Sequence, residues 1–367
     1  MSQKLSDMRW LNHCHFLKIH DGRLVFWDYQ KHSQFDIEQQ HLARLIEFST
    51  GSSLAATQVD QDILDSGVLT DSMAAKQWGW DWLSHIFHVG TCHPSPPEPG
   101  VTGQLAVEYS RSYLEYCESL SSTEPEVEVV KGGRRVELPK PELKKLQSVS
   151  LWDALSQRRT CRDFDGSRVS LGKVATLLFA AFGDQKSPDP TLPDETDTYG
   201  FRRTSPAAGG LQSTEPYLWV INVDGLAPGI YHYLSCQHQL EVVADCAPDH
   251  PIGTYLCNQH WANDMAFAVV MTCRFDKMWW KYPHSRAYRP MLMDVGHLSQ
   301  TLNLCITALG LHPWLTGYFH DKELAALVGC TSDIEHPILV VGAGGGSGSS
   351  LSRVERQLLV DAAEGAW

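Results

Sequence analysis

The sequence has little positive charge. Its 367 residues include 30 Lys and Arg against 43 Asp and Glu, a formal net charge of −13 at pH 7. A surface of this sign repels phosphate backbones and anionic lipid headgroups, which disfavours binding to nucleic acid or to a membrane surface. Any anion that the protein binds must therefore be held by a local group of basic side chains.

Features of membrane-spanning and secreted proteins are also missing. No apolar stretch approaches the roughly 20 residues that a helix needs to span a bilayer. The first residues, MSQKLSDMRWLNHC, lack the basic and then apolar order of a signal peptide. The 10 cysteines are scattered without a Cys-x-x-Cys pair, which is typical of reduced thiols. We therefore expect a cytoplasmic protein.

Two cofactor classes have little support. The closest histidine spacings, His13/His15 and His85/His88, have no Cys or acidic partner in ligand register, so we expect no metal site. The segment ILVVGAGGGSGSS resembles a dinucleotide-binding turn, but Ser347 occupies the place of the third glycine and only 20 residues follow. We interpret it as a flexible tail or one that lies beside a ligand.

The chain divides by composition. Residues 15–28 predict a hairpin with its turn at Asp21-Gly22, and a helical pattern ending before Gly51 follows. A small winged-helix-like accessory module, with a peptide-recognition or structural role, is therefore expected in 1–120. Segment 121–148 is rich in charge, Pro and Gly and is expected to be a linker or arm.

The remaining residues, 149–367, have mixed helix and strand patterns without strict alternation, which favours an α+β fold over a doubly wound sheet. Ser150 and Ser170 are predicted to cap two helices, and Pro290 lies near the start of a long helix that ends at Gly310. Strands are predicted at 216–223, 229–234, 239–243, 265–273 and 336–344.

Three separated segments suggest one composite site. Residues 158–164, RRTCRDF, supply three guanidinium groups and a hydroxyl, the chemistry of a phosphate clamp, although arginines also favour a solvated helix end. Residues 201–215, FRRTSPAAGGLQSTE, form a glycine-containing loop before a strand, where backbone can approach a flat ligand. Residues 309–319, LGLHPWLTGYF, contain another glycine turn.

A group of aromatic and basic residues lies at 279–289, WWKYPHSRAYR. From the residues alone, Lys281 could be a surface lysine and Tyr282 a packed aromatic, or the two could form a catalytic pair. Trp279 and Trp280 could bury the lysine or touch a substrate.

These segments resemble motifs of a known family. RRTCRDF is similar to the R-R-S-x-R-x-F motif of the nitroreductase superfamily, flavoproteins that bind FMN. The loop at 201–215, GIYHYLSCQHQLEVV, the block at 279–297 and GLHPWLTGYF resemble four motifs of its SagB-type branch, in the same order. The resemblance spans 149–345 and implies a nitroreductase-like domain with a central, largely antiparallel sheet flanked by helices.

The resemblance also implies residue roles. Lys281 and Tyr282 would be the acid–base pair. Residues that would hold FMN are Arg158, Thr160 and Arg162 at the phosphate and ribityl chain, Arg159 near the polar edge of the ring, Ser205, Ala207 and Gly209 in the second loop, and Thr316 and Gly317 in the third. The chain departs from the branch at Ala207 and at Gln212-Ser213, where Ser and Tyr-Pro are usual, and at Thr316, where an acidic residue is common in the superfamily.

The implied activity is an FMN-dependent dehydrogenation of a thiazoline, an oxazoline or a similar C–N group in a peptide-derived or carrier-bound intermediate. The resemblance further implies a homodimer, and a cyclodehydratase is a candidate partner. Two alternatives stay open: a different flavin reaction, such as NAD(P)H-dependent reduction of a nitro or enone group or another amine or peptide dehydrogenation, and a non-catalytic peptide-binding subunit.

Overall fold

The computed structural model describes residues 8–72, 78–93, 103–120, 123–185, 201–330 and 332–363. The chain forms two compact units, Met1–Tyr109 and Ser110–Trp367. Within the described residues, no helix is both long enough and apolar enough to cross a membrane.

The first unit combines two small antiparallel sheets with short helices. One sheet has the order β2-β3-β4 and the other β5-β1-β6. Its strands are β1 (Met8–Leu11), β2 (His15–His20), β3 (Arg23–Asp28), β4 (Ser33–Ile37), β5 (Ser52–Ser53) and β6 (Leu69–Thr70), and its helices are α1 (Gln39–Thr50), α2 (Gln58–Asp65) and α3 (Trp82–Gly90).

The predicted hairpin in this unit is confirmed, because β2 and β3 pair across a turn in which Asp21 and Gly22 have φ of 49° and 74°. Positive φ at both central residues matches the twist of two-residue hairpins. Phe26, Leu45 and Phe48 belong to the core between sheet and helices. This content agrees with a winged-helix-like module, which stays a prediction.

The second unit is built on a seven-stranded sheet of order β14-β15-β13-β9-β11-β12-β7, in which every neighbouring pair is antiparallel. The predicted helix-flanked antiparallel sheet is therefore confirmed. Its strands are β7 (Arg135–Glu137), β9 (Thr214–Val220), β11 (Gly229–Leu234), β12 (Gln239–Ala244), β13 (Phe267–Arg274), β14 (His312–Thr316) and β15 (Glu335–Gly344); β8 (Val169–Ser170) and β10 (Val223–Asp224) form a separate parallel pair.

The other helices are α4 (Gly103–Leu120), which begins in the first unit and ends in the second, α5 (Leu143–Gln147), α6 (Leu151–Gln157), α7 (Leu171–Phe182), α8 (Ile252–Tyr255), α9 (Phe275–Lys281), α10 (Tyr288–Ala308), α11 (Asp321–Leu327) and α12 (Arg353–Ala363). Both predicted caps are confirmed: Ser150 Oγ accepts from the Asp153 N–H and Ser170 Oγ from the Lys173 N–H. The buried residues of α10 recur every three or four positions, whereas α7 is buried over most of its length. Both helices belong to the core on one face of the sheet, and α11 packs on the other.

Two elements lie where the sequence shows no clear pattern. β7 is the edge strand of the large sheet, within the segment expected to be a linker or arm. Its only apolar residue, Val136, lies between Arg135 and Glu137, and charged edge strands resemble linkers because one side faces solvent. Helix α9 was also not predicted, because Lys277 and Lys281 interrupt its apolar face. The domain boundaries at 120 and 149 stay a prediction.

Candidate active site

The arginine segment, residues 158–164, packs against the end of the sheet and the glycine-rich tail. The Cys161 N–H donates to the Pro313 carbonyl at 2.9 Å, and the Arg162 N–H donates to the Ser349 carbonyl at 2.8 Å. A Cβ on Gly346 would overlap the Asp163 carbonyl oxygen. The glycines after β15 thus allow two backbones to approach closely, which explains them without a dinucleotide.

Asp163 is a buried residue that ties the arginine segment to the C-terminal segment. Its carboxylate, about 7% exposed, accepts from Ser347 Oγ at 2.5 Å and pairs with Arg353 at 2.7 Å and Arg356 at 2.6 Å. The hydrogen bond from Ser347, together with the two guanidinium groups, lowers the pKa of Asp163 to about 2. Short sequence patterns give no signal for Asp163, because its partners lie about 190 positions away.

The three arginines of this segment, Arg158, Arg159 and Arg162, make no ion pair with a carboxylate among the described residues. Arg162 donates to the Ser350 carbonyl at 2.8 Å, and its guanidinium lies 5.4 Å from the ring centre of Trp261. Arg159 is exposed and Arg158 half-buried. Such a cluster of donors without carboxylate partners is suited to an anionic ligand.

The third predicted segment lies next to the arginine segment. Thr316 at the end of β14 is buried, and its Oγ1 accepts from Gln259 Nε2 at 3.1 Å and from the Tyr318 N–H at 3.0 Å. Gly317 is exposed, and a Cβ there would meet only Leu339, at 3.9 Å. The chain itself does not need a glycine here, so the open position is compatible with close approach of a ligand.

The second predicted segment is held by α10. Ser205 Oγ and Thr301 Oγ1 are 2.7 Å apart, and the Ala208 N–H donates to Asp294 Oδ2 at 2.9 Å. Burial raises the pKa of Asp294, although the hydrogen bond from Ala208 opposes the shift. Ala207 directly precedes the short 3-10 turn Ala208–Gly210. The side chains on α10 therefore set the path of this loop.

The predicted catalytic pair meets the same loop. Lys281 is the last residue of α9 and is only 4% exposed, and its Nζ donates to the Gly209 carbonyl at 3.1 Å. Gly209 has φ of 59°, and a Cβ there would overlap the Tyr282 hydroxyl. The glycine is required both by its left-handed backbone and by the close approach of the tyrosine. Lys281, Tyr282 and Gly209 thus form one cluster.

A second buried lysine lies one turn earlier on α9. Lys277 Nζ donates to the Val127 carbonyl at 2.6 Å and to the Gln212 carbonyl at 3.4 Å, and lies 3.9 Å from Glu215 Oε1. Burial lowers the pKa of Lys277. Burial alone would raise the pKa of Glu215, but the hydrogen bond from His232 and the charges of Lys277 and Arg203 outweigh it and lower that pKa.

Arg203 completes the support of this loop. It is buried, and its guanidinium donates to the carbonyls of Phe182 at 3.0 Å and Thr214 at 2.7 Å. Together with Lys277 and Glu215 it forms a buried network beneath the loop. Neither Lys277 nor Arg203 has a role that the sequence predicts.

The two tryptophans have different surroundings. Trp279 is 53% exposed and lines an open apolar cavity of about 310 Å³, together with Phe275, Tyr282, His284 and Tyr288. Trp280 Nε1 donates to Thr123 Oγ1 at 3.0 Å. Trp279 therefore borders space beside Tyr282, whereas Trp280 attaches α9 to the segment after α4.

The described contacts arrange the predicted residues in two groups. Arg158, Arg159, Thr160, Arg162, Thr316 and Gly317 form the first, and Ser205, Ala207, Gly209, Lys281 and Tyr282 form the second. Helix α10 contacts both groups. Helix α6, which directly precedes the arginine segment, packs on α10, and the glycine loop is hydrogen-bonded to α10.

A profile of the nitroreductase family matches residues 155–345, more than half of the chain. The chain belongs to the nitroreductase family. This membership confirms the predicted oxidoreductase class and the FMN cofactor. The arginine segment and Gly317 fit a flavin phosphate and its adjoining chain. The arginines offer positive charge that no ion pair of the described residues uses, and Gly317 leaves open space.

Several individual proteins are similar to this chain. A Methanocaldococcus jannaschii protein named as a nitroreductase is 27% identical over 203 residues, which are 55% of this chain and 94% of the relative. The trifolitoxin-processing protein TfxB of Rhizobium leguminosarum bv. trifolii is 27% identical over 158 residues. That alignment covers 36% of this chain and 42% of TfxB, so the chain spans less than half of that relative. A nitroreductase crystal structure from Anabaena variabilis has 21% identity and a TM-score of 0.49, and the match covers 59% of this chain and 42% of the other.

Proposed function

We propose that this nitroreductase-family protein is a SagB-type dehydrogenase that oxidises a thiazoline, an oxazoline or a similar C–N group of a peptide-derived intermediate. The observation that carries the proposal is the convergence of Lys281 and Tyr282 on Gly209. An amine and a phenol, each able to move a proton, lie together at the loop that the family resemblance assigns to the flavin.

The residues divide the reaction between them. Oxidation of an azoline to an azole removes one proton and one hydride from the ring. FMN, when bound, supplies the hydride acceptor. Lys281 in its neutral form can donate one N–H to the Gly209 carbonyl and present its lone pair to the ring C–H, where it accepts the proton. The Tyr282 hydroxyl is suited to hydrogen-bond the ring heteroatom, which positions the ring.

The other group of residues would bind the cofactor. Arg158, Arg159, Thr160 and Arg162 would hold the phosphate and the adjoining chain, because planar guanidinium groups form paired hydrogen bonds with phosphate oxygens. Thr316 and Gly317 would line the flavin from β14. Ser205, Ala207 and Gly209 would line it from the second loop, whose path the Asp294 carboxylate fixes.

A peptide substrate is supported by two observations. One relative is named as a trifolitoxin-processing protein, and another, 23% identical over 219 residues, as a trifolitoxin operon protein. The apolar cavity beside Tyr282 has room for a side chain that flanks the reacting ring. We further propose a homodimer, with a cyclodehydratase that forms the azoline as the partner enzyme.

The test begins with purified protein. It should be yellow, with the visible absorption bands of FMN, and it should remove two mass units from a synthetic peptide that carries one thiazoline ring. Lys281→Ala should keep the bound flavin and lose turnover by roughly 100-fold or more, the range of a lost general base. A Lys281→Ala protein with normal turnover would contradict the catalytic assignment.

Reduction of a nitro or enone group is the second candidate, favoured by the name of the M. jannaschii relative, of which the alignment covers 94%. NADPH separates the two candidates. Rapid bleaching of the flavin by NADPH alone, followed by reduction of a nitroarene, would favour the reductase. Slow bleaching together with peptide oxidation would favour the dehydrogenase.

A further inference from the structure

Two tyrosines outside the family match contact the predicted catalytic lysine. Tyr113 and Tyr116 lie on α4, which ends 35 residues before the match begins at residue 155. They are three positions apart and therefore share one face of the helix. Tyr116 Oη donates to the main-chain carbonyl of Lys281 at 2.8 Å, and Lys281 Nζ lies 5.9 Å from the ring centre of Tyr113.

The Tyr116 hydrogen bond acts on the peptide group that joins the two catalytic residues. Lys281 is the last residue of α9, and the Tyr116 hydroxyl donates a hydrogen bond to its main-chain carbonyl. The N–H of the same peptide group, that of Tyr282, donates to the Met278 carbonyl at 2.8 Å. Both polar atoms of this peptide are therefore fixed, which sets the direction in which each side chain leaves the backbone.

The Tyr113 ring acts on the side chain. Lys281 Nζ is bonded to the Gly209 carbonyl on one side, and the Tyr113 ring lies near it on another. An aromatic ring at this distance covers the amine and keeps water from it. The lysine is only 4% exposed although it ends its helix, and the Tyr113 ring is one of the groups that cover it.

The contact continues along α9. Trp280 Nε1 donates to Thr123 Oγ1 at 3.0 Å, and Lys277 Nζ donates to the Val127 carbonyl at 2.6 Å. Tyr116 therefore contacts Lys281, Thr123 contacts Trp280 and Val127 contacts Lys277. The two segments run antiparallel, since the later position in one meets the earlier position in the other. The segment from the end of α4 therefore holds the helix at its catalytic end and one turn earlier.

We propose that Tyr113 and Tyr116 are positioning residues for the Lys281–Tyr282 pair: Tyr116 fixes the peptide between them, and Tyr113 covers the lysine amine. The inference rests on the proposed function, in which this pair transfers the proton. It gives two residues outside the family match, Tyr113 and Tyr116, a role in positioning the proposed catalytic pair.

A labelling experiment tests the proposal without a substrate. Full-length protein with bound FMN is treated with limiting acetic anhydride, and acetylation of Lys281 is measured by mass spectrometry relative to the exposed Lys140. Tyr113→Leu should raise the labelling rate of Lys281 about fivefold, since the aromatic cover is lost. Tyr113→Phe keeps the ring, so Lys281 should be acetylated at the wild-type rate in this variant. Tyr109→Leu is the matched control, because Tyr109 lies one turn earlier on α4 and is 74% exposed.

Tyr116 is tested by turnover. With the thiazoline peptide as substrate, Tyr116→Phe should lower kcat about tenfold, the equivalent of one lost hydrogen bond, with KM changed by less than about twofold. Flavin content and Tm should stay near those of the wild type, which separates positioning from folding. Tyr109→Phe should leave kcat unchanged.

The outcomes distinguish the two proposals. The positioning role is wrong if Lys281 is acetylated at the same rate in Tyr113→Leu as in Tyr109→Leu, and Tyr116→Phe has the kcat of the wild type. If Lys281→Ala turns over normally, the proposed function is wrong, while the labelling result still decides whether Tyr113 covers the amine. Increased labelling with Tyr113→Leu but not with Tyr109→Leu supports the inference.

Discussion

The two groups of site residues use charge in opposite ways. In the arginine segment, Arg159 and Arg162 lie at or near the surface and take part in no ion pair among the described residues. Beneath the glycine loop, Lys277, Arg203 and Glu215 are all buried and all partnered. Free charge is suited to hold a ligand, whereas buried and paired charge costs desolvation and is suited to hold geometry.

This difference separates two kinds of failure. A substitution in the buried network should unfold or loosen the domain, because it leaves other buried charges without a partner. Replacement of an arginine in the arginine segment should weaken cofactor binding and leave the fold intact. Measurements of stability and of FMN affinity should therefore sort the two groups.

The largest effect is expected for Glu215→Gln. This change removes the negative charge between Lys277 and His232 and should lower the free energy of unfolding of the second unit by about 3–5 kcal/mol. Urea denaturation followed by tryptophan fluorescence measures it. Asp224→Asn is the matched control, since Asp224 pairs with Arg168 at the surface and its loss should cost less than about 1 kcal/mol. Equal losses in the two variants would show that the buried network does not stabilise the loop.

The second-largest effect is expected for the affinity for FMN when an arginine of the arginine segment is replaced. Arg162→Ala should weaken FMN binding roughly 10- to 100-fold, the equivalent of about 1.5–3 kcal/mol for hydrogen bonds to a charged group. Titration of the apoprotein with FMN, followed by flavin fluorescence, measures Kd. Arg168→Ala removes an arginine six positions away that already pairs with Asp224 and should leave Kd unchanged. A loss of the same size in both variants would point to net charge rather than to a phosphate clamp.

Local rules of the sequence predicted much of the fold. The Asp21-Gly22 turn and the caps at Ser150 and Ser170 depend on residues within three positions of one another, so short patterns reveal them. The regular strands and α10 follow from their apolar periods. β7 was not predicted, because a charged edge strand is defined by its partner, Gln239–Glu241 of β12, about 100 residues later.

The residues that contact α9 from the segment around α4 could not be predicted from the sequence for the same reason. Lys281 and Tyr282 stand in a motif, but Tyr116 meets Lys281 across 165 positions and Val127 meets Lys277 across 150. Nothing in the composition of α4 marks two of its tyrosines as different from Tyr109. A motif therefore predicts the proposed reacting residues, whereas the contacts of Tyr116 and Val127 with α9 are visible only in the structure.

Asp163 provides the smallest test, because it combines both uses of charge in one place. It is a buried, partnered carboxylate that supports the exposed arginines, and the hydrogen bond from Ser347 and the nearby Arg356 and Arg353 lower its pKa to about 2. A carboxyl whose pKa is lower in the folded state stabilises that state above its ordinary pKa of about 4, and the contribution is lost as the pH falls toward 2. Tm of the wild type should therefore decline between about pH 4 and pH 2. Asp163→Asn should have a lower Tm at pH 7 and a smaller decline over this interval, whereas Asp224→Asn should follow the wild type. The same acid decline in Asp163→Asn as in the wild type would assign the pH dependence to other carboxyls and leave Asp163 as a hydrogen-bond acceptor alone.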